Sequence, residues 1–331
     1  MARVLLLHTG GTLGMTGSPL KPDAYNSALT QAVPEITKLA DVDTDIVFNL
    51  DSSDVGPTHW RELATRIANA REDYDGFVIV HGTDTMAYTA SALAFALRGL
   101  DRPVILTGAQ RPLAALRTDA RRNLADAVDV ATRDIPEVCI CFDGLLFRGC
   151  RTTKSSSRDY RAFHSPGVEP LARLGVDVDR GTHILEPRGQ FDADARFDPD
   201  VTVLHVTPGF NTDIFAALLA SEYRPKGVVL AAFGSGTVPT KHHALAPVVE
   251  RAVDAGTEVL VVTQSYGRVD LELYDNSRDL AEAGAISGGS MLVEAAVPKL
   301  MHAIAVFGDP SARRTYLERN VVGETEASRA E

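Results

Sequence analysis

The chain has 331 residues, of which 45% are hydrophobic and 23% charged, with 33 Lys and Arg against 44 Asp and Glu. This length predicts two domains, and the composition is typical of a globular protein with a sizeable buried core. The formal net charge of −11 argues against general affinity for nucleic acid or for an anionic membrane, because both are themselves negatively charged.

The cysteines and the N-terminus indicate the compartment. Cys139, Cys141 and Cys150 do not make a disulfide framework, and we interpret them as buried thiols in a reducing compartment. No histidine pattern accompanies them, so we expect no zinc or other metal site. The apolar run Val4–Leu7 is too short for the core of a signal peptide, and no stretch is long enough to span a membrane. We therefore expect a cytoplasmic protein.

Short apolar runs alternate with longer helical patterns along the first half of the chain. The predicted strands are Val4–His8, Ile46–Leu50, Phe77–His81, Val104–Thr107 and Val138–Phe142. The predicted helices between them are Trp60–Ala70, Thr85–Leu97 and Thr118–Ala131. Because the strand runs are continuously apolar, as in strands buried on both faces, we expect an α/β fold with a mostly parallel sheet flanked by helices.

A polar stretch at residues 187–200 is the predicted linker between two domains. Residues 1–186 would form a larger N-terminal α/β domain, and residues 201–331 a smaller C-terminal α/β domain. The strands predicted in the second domain are Thr202–Val206, Val228–Phe233 and Val259–Thr263. Its predicted helices are Ile214–Ser221, His243–Ala255, Met291–Val306 and Pro310–Asn320.

Small and polar residues follow each predicted strand of the first domain. In open parallel sheets, ligands bind beyond the carboxyl ends of the strands, so we expect these segments to meet at one edge of the sheet. The segments are Thr9–Thr12, Asp51–Asp54, Gly82–Thr85, Gly108–Arg111 and, beyond a second short apolar run, Arg151–Lys154.

The first of these segments allows more than one interpretation. Glycines after a strand can cradle a phosphate at a helix N-terminus, but this segment fits neither the dinucleotide fingerprint nor the phosphate-loop pattern. We therefore expect no nucleotide cofactor. Alternatively, Gly10 and Gly11 let the backbone approach a ligand closely and present the hydroxyl of Thr12. A tight turn with an ordinary hydroxyl is equally compatible with this segment alone.

Thr83 and Asp84 precede an apolar helical pattern, where such side chains commonly cap a helix. Capping is the simpler interpretation unless a base lies close to them. Lys154 is the candidate for this base because it lies within a run of hydroxyl residues, although an isolated lysine is usually a solvated surface charge. A free threonine hydroxyl is a poor nucleophile, and a lysine near Asp84 could relay a proton to or from Thr83. We interpret His8 and His81, at strand ends, as structural residues.

Taken together, these motifs resemble the bacterial type I, or cytoplasmic, branch of the L-asparaginases. His8–Met15 (HTGGTLGM) is similar to the family signature around the first threonine, and His81–Met86 (HGTDTM) to the second signature. Asp51–Asp54 and Arg151–Lys154 match the cytoplasmic branch in order and approximate spacing. The resemblance continues as far as Gly284–Glu294, so it covers essentially the whole chain.

The resemblance implies hydrolysis of L-asparagine to L-aspartate and ammonia without a cofactor. It implies that Thr12 attacks the side-chain amide to give an acyl-enzyme, while Thr83, Asp84 and Lys154 handle the proton. Asp84 and Ser52 would hold the α-amino and α-carboxylate groups, and backbone N–H groups near Thr83 and Ala109 would meet the oxyanion. The residues implied around the substrate are Gly11, Asp51, Ser52, Ser53, Gly82, Ala109 and Ser235. A homodimer or homotetramer is implied too, with sites at the intimate dimer interface.

Two positions depart from the family pattern. The lid tyrosine that helps to activate the nucleophile falls on Tyr25 by its distance from Thr12, but on Leu20 by its distance back from Pro34. Ser235 stands where many members carry an asparagine that reaches the active site from the C-terminal domain. Glutamine, which is one methylene longer than asparagine, is the alternative substrate, and the sequence does not fix the preference between the two.

Two other functions are compatible with these motifs. One is a subunit that releases ammonia for a transfer-RNA amidotransferase. Such subunits carry an extra N-terminal domain, whereas the catalytic loop here begins at residue 9, and the acidic charge argues against an RNA surface. The other is a sensor that keeps the amino-acid pocket but has lost turnover. A sensor would bind asparagine or aspartate and release no ammonia.

Overall fold

The computed structural model describes residues 1–16, 21–22, 32–241 and 243–326. The chain divides into two compact units, Met1–Ala195 and Arg196–Glu331. The division falls inside the segment that the sequence indicates as a linker. Part of that segment, Asp192–Ala193, pairs as a strand with Leu97–Arg98 of the first unit.

The first unit alternates strands with helices. Its strands are β1 Arg3–Gly10, β2 Met15–Thr16, β3 Lys21–Pro22, β4 Asp41–Leu50, β5 Gly76–Val80, β6 Leu97–Arg98, β7 Val104–Thr107, β8 Val138–Phe142, β9 Leu145–Arg148, β10 Thr153–Lys154, β11 Phe163–His164, β12 Ala172–Leu174, β13 Val178–Arg180 and β14 Asp192–Ala193. Its α-helices are α1 Ile36–Leu39, α2 Pro57–Ala70, α3 Met86–Ala96 and α4 Ala120–Ala131. Short 3-10 helices follow β1, β4 and β9, at Thr12–Gly14, Ser52–Asp54 and Gly149–Arg151.

An eight-stranded sheet lies at the centre of the first unit, in the order β13-β12-β9-β8-β7-β5-β1-β4. The strands β4, β1, β5, β7 and β8 run parallel to one another. The chain passes from β1 to β4 on one side and returns to β5 on the other, so the direction of winding reverses between β1 and β5. Ligands of such sheets bind at this reversal, beyond the carboxyl ends of the strands.

The burial of the parallel strands follows their sequence, with one exception. Every residue of β5 and of β8 is buried, as their continuous apolar runs predict. The exception is β4, which pairs only with β1 and whose residues are all exposed or half-buried. The expectation of strands buried on both faces is therefore wrong for β4, because an edge strand is covered less completely. Its actual start at Asp41 also lies well before the predicted one.

A tight hairpin after β8 adds an antiparallel part that the sequence did not predict. Asp143 and Gly144 have φ angles of 49° and 72°, the left-handed conformation that a two-residue hairpin turn requires. Strand β9 therefore returns antiparallel to β8, and β12 and β13 extend the sheet beyond it. The second short apolar run noted in the sequence is this strand.

The second unit contains a four-stranded parallel sheet with helices around it. Its strands, in sheet order, are β15 Val201–His205, β16 Gly227–Ala232, β17 Glu258–Thr263 and β18 Ile286–Ser287. Its helices are α5 Thr212–Ala220, α6 Ala246–Asp254, α7 Asp275–Glu282, α8 Val293–Val306 and α9 Pro310–Glu318. Two α/β units with mostly parallel sheets confirm the predicted fold class. None of the helices in the described ranges has the length and apolar character needed to cross a membrane.

Candidate active site

A lysine, a threonine and an aspartate from two separate strand ends meet at the edge of the first sheet. Lys154 Nζ donates to Thr83 Oγ1 at 2.7 Å and to Asp84 Oδ1 at 2.6 Å. Thr83 and Asp84 lie between β5 and α3, whereas Lys154 belongs to β10, which pairs with β11. Thr83 is buried, and the Lys154 side chain is 17% exposed while that of Asp84 is 69% exposed. The amine is therefore held by the protein, and the carboxylate remains accessible.

The hydrogen bonds of this segment do not support helix capping as its role. Thr85 is the N-cap residue of α3, but its side chain makes no capping hydrogen bond in the described structure. Its hydroxyl instead donates to the carbonyl of Ser52 at 2.6 Å. The side chains of Thr83 and Asp84 are directed to Lys154. The sequence Thr83-Asp84-Thr85 thus serves contacts at the sheet edge rather than the start of the helix.

Two glycines bring the loops that follow β1, β4 and β5 into direct contact. A Cβ atom on Gly11, where φ is +85°, would lie 2.5 Å from the backbone nitrogen of Gly82. A Cβ atom on Gly82 would lie 2.7 Å from the hydroxyl oxygen of Ser52. Any side chain at either position would push these loops apart. Glycine is therefore required for Thr12, Ser52 and Thr83 to occupy the same edge.

Thr12 opens the 3-10 helix that follows β1 and is half-buried. The carbonyl of its neighbour Leu13 accepts a hydrogen bond from Leu113 N at 3.2 Å, which anchors the segment to the loop after β7. Only this three-residue helix, and then strand β2, follows β1. A phosphate cradle needs the N-terminus of a longer helix, so the second interpretation of the glycine segment, presentation of the Thr12 hydroxyl, is the better supported.

The segment after β4 presents a buried serine and a stabilised carboxylate. Ser52 is only 3% exposed, and its neighbour Ser53 is exposed. Asp51 Oδ1 accepts hydrogen bonds from Ser53 N at 2.9 Å and from Ser53 Oγ at 2.7 Å. The backbone hydrogen bond from Ser53, reinforced by its hydroxyl, lowers the pKa of Asp51, so this carboxylate stays charged at neutral pH.

Two backbone N–H groups at the same edge have no acceptor among the residues that the structure describes. They belong to Thr83 and Ala109, which are 7% and 1% exposed. Buried N–H groups without a partner are rare in folded proteins, because each loses its hydrogen bonds to water. Paired donors of this kind are suited to an oxygen atom that becomes negatively charged during a reaction.

Gln110 is a site residue that the sequence analysis did not single out. Its side-chain nitrogen donates to the carbonyls of Asp159 at 3.0 Å and Ser156 at 3.3 Å, which fixes the orientation of the amide. Its Oε1 then faces the Thr83 hydroxyl, which donates to it at 3.5 Å. The available signal was the position of Gln110 directly after the end of β7.

Three predicted residues are not among those that the structure describes at this edge of the first unit. Tyr25 and Leu20, the two candidates for the lid tyrosine, fall outside the described residues. Ser235 belongs to the second unit, where it is half-buried and its carbonyl accepts from Asp270 N at 2.9 Å. Cys139 and Cys141 are fully buried, and burial raises the pKa of both thiols well above the usual range. Within the described ranges, no group of three or more His, Cys, Asp or Glu side chains could hold a metal ion.

Comparison with known proteins gives the family. Residues 3–185 match the family model described as Asparaginase, N-terminal, and residues 200–317 match that of the Glutaminase/Asparaginase C-terminal domain. The chain is 36% identical to L-asparaginase 1 of Escherichia coli K12, with 97% of each chain covered. The structure resembles that of the thermostable L-asparaginase from Thermococcus kodakarensis, with a TM-score of 0.92 and 33% identity, covering 98% of this chain and 100% of that one. It also resembles L-asparaginase I from Vibrio cholerae, with a TM-score of 0.89 and 33% identity, covering 98% and 99%. The chain belongs to the asparaginase family.

Proposed function

We propose that the protein is an L-asparaginase, an amidohydrolase that converts L-asparagine to L-aspartate and ammonia through an acyl-enzyme on Thr12. One observation carries the proposal, the contact of Lys154 Nζ with Thr83 Oγ1 and Asp84 Oδ1 beside the loop of Thr12. A zwitterionic substrate needs charged groups to fix it, and an amide needs preorganised donors for its tetrahedral intermediate. The edge of the first sheet offers both.

The reaction runs in two steps. In the first, Thr12 Oγ1 loses its proton and bonds to the side-chain amide carbon of asparagine. The nitrogen of the tetrahedral intermediate takes up a proton, and the C–N bond then breaks to release ammonia. In the second, water attacks the resulting ester, releasing aspartate and returning the proton to Thr12. Lys154 and Thr83 carry the proton, and Asp84 stabilises the charge of the lysine. This activation is necessary because a threonine hydroxyl alone is a weak nucleophile.

The substrate would be held by charges of opposite sign. The exposed carboxylate of Asp84 accepts the α-ammonium group, and the hydroxyl of Ser52 donates to the α-carboxylate. Asp51 orients Ser53 beside them. The residues of the first unit that line the substrate are Gly11, Asp51, Ser52, Ser53, Gly82 and Ala109. The unpaired N–H groups of Thr83 and Ala109 receive the oxyanion of the tetrahedral intermediate.

The family resemblance supports three further parts of the proposal. The protein acts as a homodimer or homotetramer with its sites at the intimate dimer interface. It works in the cytoplasm, where the three free, buried cysteines would stay reduced. A lid residue, Tyr25 or a replacement where Leu20 stands, assists Thr12. Of these, the lid residue is the most directly testable, through the rates of Tyr25→Phe and Leu20→Tyr. If Tyr25→Phe hydrolyses asparagine at the wild-type rate, Tyr25 is not the lid tyrosine.

The central test is ammonia release by the purified protein and by Thr12→Ala. We expect wild-type turnover of L-asparagine, and loss of turnover in Thr12→Ala with an unchanged circular dichroism spectrum. Thr65→Ala is the matched control, because Thr65 is exposed on α2 and its hydroxyl only bonds the carbonyl of Arg61. Intact-mass spectrometry after acid quench should detect an aspartyl adduct on the wild type and none on Thr12→Ala. Near-normal rates in Thr12→Ala would exclude Thr12 as the nucleophile.

Parallel assays separate the alternatives. Rates with L-asparagine, L-glutamine and D-asparagine measure the preference among these substrates. Discrimination between asparagine and glutamine, which differ by one methylene, is expected to be about 1–3 kcal/mol. Binding of asparagine in a calorimeter without any release of ammonia would identify a sensor instead of an enzyme.

A further inference from the structure

A chain of buried hydrogen bonds runs beneath the candidate active site. Trp60 Nε1 donates to Thr89 Oγ1 at 3.1 Å, Thr89 Oγ1 contacts His81 Nε2 at 3.0 Å, and His81 Nδ1 contacts the carbonyl of Gly82 at 2.7 Å. Thr89 is 0% exposed, His81 1% and Trp60 4%. The chain therefore links α2 and α3 to the end of β5 through buried side chains.

The direction of each hydrogen bond in this chain is fixed by its two ends. An indole N–H can only donate, and a carbonyl oxygen can only accept. His81 Nδ1 must therefore carry the proton that Gly82 accepts. Burial lowers the pKa of His81 to about 4, so at neutral pH the ring has one proton and its Nε2 is an acceptor. The Thr89 hydroxyl then donates to Nε2 and accepts from Trp60, and every donor points towards Gly82.

The chain ends on the peptide group that joins Gly82 to Thr83. In a trans peptide the carbonyl and the N–H point in opposite directions. Because His81 holds the Gly82 carbonyl on the buried side, the Thr83 N–H is directed away from it. That N–H has no acceptor among the described residues, and Thr83 Oγ1 lies 2.7 Å from Lys154 Nζ. A hydrogen bond on the carbonyl also polarises the peptide and strengthens its N–H as a donor.

We propose that His81, Thr89 and Trp60 are positioning residues that aim the Thr83 N–H at the amide oxygen of the substrate. The inference rests on the proposed asparaginase function and adds to it residues that do not touch the substrate. The preceding peptide, between His81 and Gly82, lies against Gly11, and Gly82 itself lies against Ser52, with no room for a Cβ atom at either glycine. Packing therefore fixes the chain up to Gly82, and the hydrogen bond from His81 to the Gly82 carbonyl sets the tilt of the next peptide.

Thr89→Val breaks the chain at its centre while keeping the shape of the side chain. We expect kcat for L-asparagine to fall about ten- to a hundred-fold, because loss of one well-aimed donor lowers rates on this scale, with KM changed less than about two-fold. Thr89→Ser, which restores the hydroxyl, should recover most of the lost kcat. Rates are compared per folded molecule, well below the melting temperature of each variant.

Ser91→Ala is the matched control for a purely structural effect. Ser91 is also a fully buried hydroxyl of α3, but it bonds only the carbonyl of Ala87 in its own helix. We expect it to lower the melting temperature and to leave kcat unchanged. If Thr89→Val keeps kcat within about two-fold of the wild type, or if Ser91→Ala loses as much, the positioning role is overturned. If Thr89→Val does not fold, Trp60→Phe tests the same chain from its outer end.

The tautomer of His81 gives a readout that is independent of activity. Nitrogen-15 NMR of the wild-type protein, assigned by comparison with His81→Gln, should show a neutral ring protonated on Nδ1, the form less favoured by histidine in water. If the enzyme is active and its His81 ring is protonated on Nε2, the proposed hydrogen-bond chain is overturned, whereas the proposed asparaginase function stands. A wild type that releases no ammonia would overturn the proposed function, and the catalytic part of this inference with it, whichever tautomer is found.

Discussion

Lys154 in the first unit and Lys299 in the second each hold a carboxylate oxygen at 2.6 Å, that of Asp84 and that of Glu324. The side chains of Lys299 and Glu324 are both 0% exposed, whereas the Asp84 side chain is 69% exposed. Two contacts of the same length therefore lie in very different surroundings. The comparison separates an ion pair that can take part in chemistry from one that can only hold the fold together.

The difference lies in what else each lysine binds. Lys299 also donates to the carbonyls of Leu317, at 3.0 Å, and Arg319, at 2.6 Å, around the end of α9. Glu324 accepts from the backbone N–H groups of Val321 and Val322. Such a pair, surrounded by hydrogen bonds and closed to solvent, anchors the C-terminal segment to α8. Lys154 instead donates to a threonine hydroxyl and to a carboxylate that is exposed to solvent.

The largest effect is expected from Lys154→Met. We expect kcat for L-asparagine to fall at least about a thousand-fold, or about 4 kcal/mol, because the proton relay is removed. The free energy of unfolding should change by less than about 1 kcal/mol, since water can solvate the exposed carboxylate of Asp84. Ammonia assays and urea unfolding measure the two quantities.

Lys226→Met is the matched control for this variant. Lys226 contacts Asp198 at 2.7 Å within the second unit, and the lysine side chain is 58% exposed. The Lys226→Met variant should have the kcat of the wild type. A Lys154→Met enzyme that keeps its activity but loses stability would reverse the assignment of the two lysines.

The sequence predicted best what depends on neighbours along the chain. The bounds of β7 and β8 were correct to the residue, because a continuous apolar run between turn residues has only one simple interpretation. Helices were also found, although α2 begins at Pro57, before the predicted start, since a proline can occupy the first turn of a helix. The antiparallel strands β12 and β13 were missed because each has only three residues, which is too short for a hydrophobic pattern to be visible.

The same division applies to the candidate active site. Thr83 and Asp84 follow β5, and the carboxyl ends of parallel strands converge, so their place at this edge could be predicted. Lys154 reaches them by another route, from β10 after the antiparallel strand β9. Thr89 and Trp60 could not be predicted, because a threonine and a tryptophan inside helical patterns look like ordinary core residues. Their role becomes visible only when α2, α3 and β5 are packed together and the hydrogen bonds between them are known.

Lys299→Met should affect stability rather than turnover. Removal of one partner leaves Glu324 as a buried carboxylate without its cation, which destabilises a fold by about 3–5 kcal/mol. We expect faster hydrogen exchange in the second unit, with kcat per folded molecule unchanged. The double variant Lys299→Met with Glu324→Leu should recover much of the loss, because no unpaired charge remains. A double variant as unstable as the single one would show that packing, and not the charge, is responsible.

Acid should expose a smaller difference that belongs to the first unit. Burial lowers the pKa of His81 to about 4, from 6.5 for an accessible histidine. The unfolded chain therefore takes up a proton as the pH falls through 6.5, while the folded chain does not until about pH 4. The contribution of His81 to the free energy of unfolding is therefore highest above pH 6.5 and decreases as the pH falls towards 4. His8 has the same shift for the same reason, so one histidine must be tested at a time.

Between pH 7 and pH 5, the wild type should lose about 2 kcal/mol more of its unfolding free energy than His81→Gln, in which this proton uptake is absent. Urea unfolding followed by the fluorescence of Trp60, the one tryptophan of the chain, reports on the first unit. His205→Gln, at an exposed histidine of the second unit, should behave as the wild type. Equal losses in wild type and His81→Gln would mean that His81 takes up a proton in the folded protein as readily as in the unfolded chain. At pH 5 its Nε2 would then be a donor, and the Thr89 hydroxyl could not direct the ring towards Gly82.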